Sequence, residues 1–170
     1  MKSIEFVSNN LYKFEKVVAG ILCTILLVSL AGGVLFRYVL EMPLFWSDEL
    51  ALFCLAWITF IGGSMGLKQR LSPSITILTD SVAPKMRKMI NILANLILLV
   101  FIIYILYVSI IWITGPTISV QKSTALQWPK LYFYLSIPVS FTFMAIHVLE
   151  LFLKSFTHDG EEKSEEVSLQ

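Results

Sequence analysis

The chain has 170 residues, 56% of them apolar and 15% charged, against about 45–50% and about 25% in an ordinary soluble domain, which excludes a water-soluble globule. Thirteen basic and twelve acidic residues leave a formal net charge of +1, so no cationic field exists to hold a nucleic acid. Cys23 and Cys54 lie inside apolar runs without C-x-x-C or Cys/His spacing, which excludes redox and zinc chemistry.

The charges are confined to short intervals, and the runs between them predict an all-α membrane protein of four transmembrane helices with interfacial amphipathic segments. In the N-terminal arm, residues 1–16, Ile4, Val7, Leu11, Phe14 and Val18 recur at steps of three and four among charged residues. This predicts either an interfacial helix or the end of a tilted span. Residues 17–36 are 20 uncharged positions, the length a helix needs to cross a hydrocarbon core of about 30 Å. A signal peptide ending near Ser29-Leu30-Ala31 fits less well, because the apolar run continues to Phe36. The second span is 50–67, with Ser47, Asp48 and Glu49 forming its first turn. A second flat stretch follows, with Ile75, Leu78, Val82, Met86 and Met89 at helical spacing. The third span is 89–114, where Gly115 and Pro116 end it. The fourth is 131–149, with Pro138 tolerated inside it. These spans make up a membrane domain of 17–153, and 154–170 form an acidic tail expected to be disordered.

Lys and Arg total ten on the side of the N-terminal arm, the second-to-third loop and the tail, and three on the other side. The excess places both termini in the cytoplasm.

No catalytic constellation is visible: there is no Ser/His/Asp grouping, no paired carboxylate and no glycine-rich phosphate loop. The four spans carry no Asp, Glu, Lys or Arg, whereas ion-driven carriers use charge or broken helices at mid-depth. The chain is therefore read as neither an enzyme nor a cofactor-binding protein. His147, near the end of span four, is either a hydrogen-bonded interfacial residue or a proton or ligand site. Ser29 and Gly33 in span one, and Gly62, Gly63 and Gly66 in span two, are small faces that pack the four helices together or dock a second subunit. At the opposite end, Arg37 and Tyr38 close span one and Phe45-Trp46-Ser47-Asp48-Glu49 opens span two. Ser123 to Pro129, including Trp128, precede Tyr132 and Pro138. Aromatic-belt anchoring and helix-dipole complementarity account for these residues structurally.

In order and spacing these pieces resemble the small membrane (DctQ-type) subunit of tripartite ATP-independent periplasmic (TRAP) transporters. The resemblance rests on Arg37-Tyr38, Trp46-Ser47-Asp48-Glu49, Gly62-Gly63, Lys68 with Arg70, and Ser123–Pro129 followed by Tyr132 and Pro138, and it runs from about residue 11 to about 153. Members often carry Gly and His where this chain has Leu71-Ser72-Pro73-Ser74, and a second glutamate where it has Asp48.

The resemblance implies an accessory role in the bacterial inner membrane, without cofactor or metal. The implied partners are a large DctM-type subunit that carries substrate and sodium by an elevator movement, a periplasmic DctP-type binding protein that delivers an organic acid, and membrane lipids. It leans toward the sialic-acid branch, with C4-dicarboxylates as the other cargo class. Arg37, Tyr38, Trp46, Asp48, Glu49, Trp128 and Pro129 are then outer-face contacts or latches, and Ser29, Gly33, Gly62, Gly63 and Gly66 packing positions. The competing reading is a self-sufficient homo-oligomeric carrier or channel, with His147, Thr59, Ser109 or Thr114 along its path.

Overall fold

The computed structural model describes residues 2–69 and 84–157. The expected flat stretch after span two, the Leu71–Ser74 departure and the acidic tail lie outside the described residues, apart from Met86 and Met89 in a helix and the first residues after 153. The helices are α1 (Lys2–Tyr38), α2 (Phe45–Lys68), α3 (Pro84–Ile113), α4 (Pro116–Val120), α5 (Leu131–Tyr134) and α6 (Ser136–Thr157). No strand forms among the described residues; Lys122 and Pro129 make one isolated antiparallel bridge. Among the described residues four segments are long and apolar enough to cross a membrane: Ile4–Tyr38, Phe45–Lys68, Met89–Ile113 and Leu131–Ser155.

The N-terminal residues and the first span form one continuous helix. α1 runs for 37 residues without a break, because no proline interrupts it and its glycines lie in an otherwise helix-favouring run. At 1.5 Å per residue it is about 55 Å long, well beyond the hydrocarbon thickness of about 30 Å. Only part of the apolar set in its first turns meets the rest of the chain. Ile4, Leu11 and Val18 are partly buried, but Val7 and Phe14 point outward, 52% and 58% exposed. The buried positions are Ser8, Glu15 and Ser29, spaced by multiples of seven as on the seam of a left-handed helix pair.

Near the start of α6 the helix breaks at Leu135. Pro138 has no N–H to give the Tyr134 carbonyl, and the break places it in the first turn of α6, where a missing donor costs little. The Ser136 hydroxyl donates to the Phe133 carbonyl at 2.7 Å across the break.

The long helices form an open row. The extensive pairings are α1 with α2, α2 with α6 and α6 with α3, and α1 also meets α6 more narrowly. The interior is small and polar: eleven described polar or charged residues are buried against six apolar ones. Lipid tails are as apolar as leucine, so no hydrophobic gain drives these helices together, and close approach and interhelical hydrogen bonds hold them instead. At the α1–α2 contact the Ser29 hydroxyl donates to the Ser47 carbonyl at 2.8 Å, and a Cβ on Gly33 would stand 2.6 Å from Ser47 Oγ. Gly63 packs on Met144, 3.0 Å from a would-be Cβ, whereas Gly62 and Gly66 meet nothing within 4 Å. Within this chain, therefore, a Cβ at Gly62 or Gly66 would meet open space.

Gly33→Val overpacks the α1–α2 contact and is expected to destabilise the protein by about 1–3 kcal/mol. Gly62→Ala, built into open space, leaves stability within about 0.5 kcal/mol of the parent. Melting temperatures of the two variants in detergent, read by size-exclusion fluorescence, check the contrast.

Candidate functional site

The residues singled out in the sequence gather at the end of the row opposite the N-terminus. α1 ends on Arg37 and Tyr38, and α2 starts seven residues later with Leu44 as its cap residue. Arg37 donates to Asp48 Oδ2 at 2.9 Å and pins the corner. Both side chains are about half exposed, a setting in which an ion pair contributes about 1 kcal/mol or less. Around it Tyr38, Val39, Met42 and Phe45 are each more than 70% exposed, and Trp46 is exposed beside them.

Glu49 has a different role. Its carboxylate accepts the N–H groups of Thr124 (2.7 Å), Ala125 (2.8 Å) and Leu126 (2.8 Å) and the hydroxyl of Ser123. Consecutive backbone donors converging on one anion form a nest, here filled by a side chain from another helix. The loop is closed beneath it by Ser123 N–H to the Trp128 carbonyl (2.8 Å) and Lys130 N–H to the Gln121 carbonyl (3.0 Å). Gln127 adopts φ 55°, the sparsely populated left-handed region for a non-glycine residue, and its side chain donates to the Thr124 carbonyl at 2.9 Å. Trp128 packs edge-on to Phe53, which also meets Phe133 and Trp57. Pro129, half-buried, leads into α5. Of the residues at this end, Glu49 and Trp128 thus join α2 to the loop, Arg37 and Asp48 join α1 to α2, and Tyr38 and Trp46 are exposed.

The other end holds a polar network that the sequence did not reveal. His147 is fully buried, its Nδ1 at 2.7 Å from Ser8 Oγ and its Nε2 at 3.0 Å from Glu15 Oε2. The expectation that no Ser/His/acid grouping exists is therefore corrected: Ser8, His147 and Glu15 form one. It differs from a hydrolytic triad in access, since all three are at most 1% exposed and no substrate can reach the serine. One turn further along, Glu150 binds Lys68 and, at 2.8 Å, Lys154, which also binds Glu5 at 2.7 Å. Gln69 donates to the Tyr12 hydroxyl. These contacts tie α1, α2 and α6 together, and Asn95 with Ser155 (2.8 Å) adds α3. The available signal was the heptad spacing of Ser140, His147 and Lys154 on α6 against that of Ser8 and Glu15 on α1. Among the described residues no group of three or more His, Cys, Asp or Glu side chains could hold a metal.

His147→Ala leaves the buried Glu15 carboxylate without its partner, which costs about 1–3 kcal/mol; a large fall in melting temperature is expected, and a fall no greater than that of an exposed control such as Thr24→Ala would contradict the burial. Glu49→Ala removes the common acceptor of the loop amides. Hydrogen exchange at Thr124, Ala125 and Leu126 should then accelerate strongly, with the helical amides of α2 unchanged.

Two comparisons bear on what this arrangement belongs to. The family model "Tripartite ATP-independent periplasmic transporters, DctQ component" matches residues 20–158. The "Isethionate TRAP transporter permease protein DctMQ" of Oleidesulfovibrio alaskensis (strain ATCC BAA-1058 / DSM 17464 / G20) is 29% identical over 145 residues, covering 81% of this chain and 22% of the relative. The chain thus spans about a fifth of the length of the curated relative it matches. With the family model covering most of its length and four apolar helices able to span a membrane, the chain belongs to the DctQ family of TRAP transporters, as a small multi-pass subunit of the bacterial inner membrane.

Proposed function

We infer that this chain is the stationary accessory subunit of a sodium-driven TRAP transporter for an organic acid, working with a large DctM-type subunit and a periplasmic DctP-type binding protein. The observation that carries the reading is the combination of the family match with an open row of helices. A row with apolar residues on its outer surfaces and polar groups in its seams is suited to lie as a wall in the membrane beside a moving partner. It is poorly suited to carry solute itself, because the charged groups of its seams are gathered in pairs at one end and none lies within the four apolar runs. The printed name of the relative joins M and Q in one permease, which supports a large membrane partner for this chain.

Both termini are assigned to the cytoplasm on the excess of Lys and Arg. The Glu49-held loop and the Arg37–Asp48 corner then face the periplasm, where a rigid platform serves to receive the binding protein. Rigidity matters because a surface that is already ordered loses less entropy on docking. The cargo class is a small organic anion: a sialic acid or C4-dicarboxylate on the resemblance in the sequence, with the isethionate of the relative as a further member of that chemical class.

Purification of the tagged chain in mild detergent should bring down a much larger membrane protein in fixed ratio. Vesicles holding the pair should take up substrate when given a sodium gradient and the loaded binding protein, and vesicles holding this chain alone should not. Uptake by the chain alone would support the self-sufficient carrier and sink the accessory reading.

A further inference from the structure

α3 lies at one end of the row and packs mainly on α6. Away from α6 it presents Leu93, Ile97, Val100, Tyr104, Tyr107 and Ile111, all between 53% and 64% exposed. Their spacing is four, three, four, three, four, the period of 3.5 that lets a second helix run alongside in a left-handed pair.

Apolar residues on such a stripe suit lipid as well as protein, but the two tyrosines do not. The spanning segment is Met89–Ile113, so its centre is near Phe101. Tyr104 is three residues past it, about 4.5 Å along the axis, where the hydrocarbon extends for about 15 Å on either side. Helical side chains lean toward the helix N-terminus, which carries the Tyr104 phenol back toward the centre and draws that of Tyr107 inward as well. Tyrosine is favoured at the headgroup level, and Trp112, near the segment's end, fits that rule. Tyr104 does not.

The other exposed hydroxyls set the contrast. Thr24, Thr59, Thr114 and Thr142 each return their proton to a carbonyl four residues back, at 2.7 to 3.0 Å. A phenol at the end of a rigid ring has no such recourse to its own helix, and among the described residues no hydrogen bond ties Tyr104 or Tyr107 to another group. A hydroxyl left in hydrocarbon without a partner is costly. What covers this stripe must therefore offer hydrogen-bond acceptors at mid-membrane depth, which acyl chains do not.

We propose that the α3 stripe centred on Tyr104 and Tyr107 is the docking face for the large membrane subunit, one of whose helices supplies acceptors to the two phenols. The proposal rests on the accessory-subunit reading above and adds the face. A large occupant is at hand in the relative, more than three quarters of which lies outside the part this chain matches. Polar interhelical contacts in membranes are the usual means of fixing such a pairing.

The test places a photo-reactive phenylalanine analogue at Ile97 or Val100 in the full-length chain in its native membrane, with Leu55 on the glycine-bearing face of α2 as comparator, and identifies adducts by mass spectrometry. Positions 97 and 100 are expected to give adducts with the large TRAP membrane subunit. The double variant Tyr104→Phe/Tyr107→Phe should lower recovery of that subunit on the tagged chain by roughly fivefold while the chain itself stays monodisperse. Adducts at 97 and 100 with lipid or with a second copy of this chain, while Leu55 captures the large subunit, would overturn the docking face and leave the accessory reading intact. If the large subunit neither forms adducts at any position nor co-purifies, both fall together.

Discussion

In a bilayer the gain from hiding apolar surface is already taken by the lipid, so whatever joins the helices of this protein must be polar contact or close approach. The seam between α1 and α6 shows how far this goes. Ser8, Glu15 and His147 occupy positions that leucines would fill in a soluble helix pair, while Val7 and Phe14 face outward. The four-charge chain of Lys68, Glu150, Lys154 and Glu5 closes the same end. Desolvating such charges is expensive, and geometry alone decides whether their mutual attraction offsets it. Here Glu150 has two cationic partners and Lys154 has two anionic ones, so none of the three helices can shift without separating charge. The row is fixed at that end by charge and, in the last third of α1, by the contact of Gly33 and Ser29 with Ser47.

At the opposite end the constraint is of another kind. The loop between the third and fourth spans has three consecutive amides with no place in a helix or sheet ladder. Backbone donors need acceptors wherever water is scarce, and Glu49 supplies one carboxylate for all of them. The same residue suits the start of α2, where the helix dipole favours negative charge. One side chain therefore serves a helix terminus and a loop 74 to 77 residues away, and the platform at this end is held by α2, the helix that also bridges α1 and α6.

The fold was legible in the sequence to the extent that lipid dictates it. Uninterrupted apolar length is a requirement of crossing a hydrocarbon core, and the runs after Lys16, Glu49, Lys88 and Lys130 stand close to the helices that form. The internal contacts were not legible, because the usual pattern rule puts apolar residues inside, and a lipid-facing helix reverses it. That His147 is hydrogen-bonded was an open alternative, but its partners lie 132 and 139 residues away, a separation no local spacing reports. The outer latch was half legible: Arg37, Asp48 and Glu49 stood out as charges at span ends, but that Glu49 holds the Ser123–Leu126 loop follows only from the folding of α2 beside it.

Four long helices, three of them meeting at one end, leave broad apolar surfaces, and area alone does not distinguish lipid from protein on them. Polar atoms do, since each must find a partner at its own depth. The exposed threonines settle theirs within their own helices and are therefore compatible with lipid. The phenols of Tyr104 and Tyr107 cannot, and this asymmetry gives the row a direction. α1, α2 and α6 are bound to one another by charge at the amino-terminal end, so α3 is the long helix least committed to its neighbours and the one with most surface to offer. The work is divided physically: the polar seams hold α1, α2 and α6 together, the Glu49-held loop keeps one rim ordered, and the joining of the end helix to a partner is the proposal that follows from it.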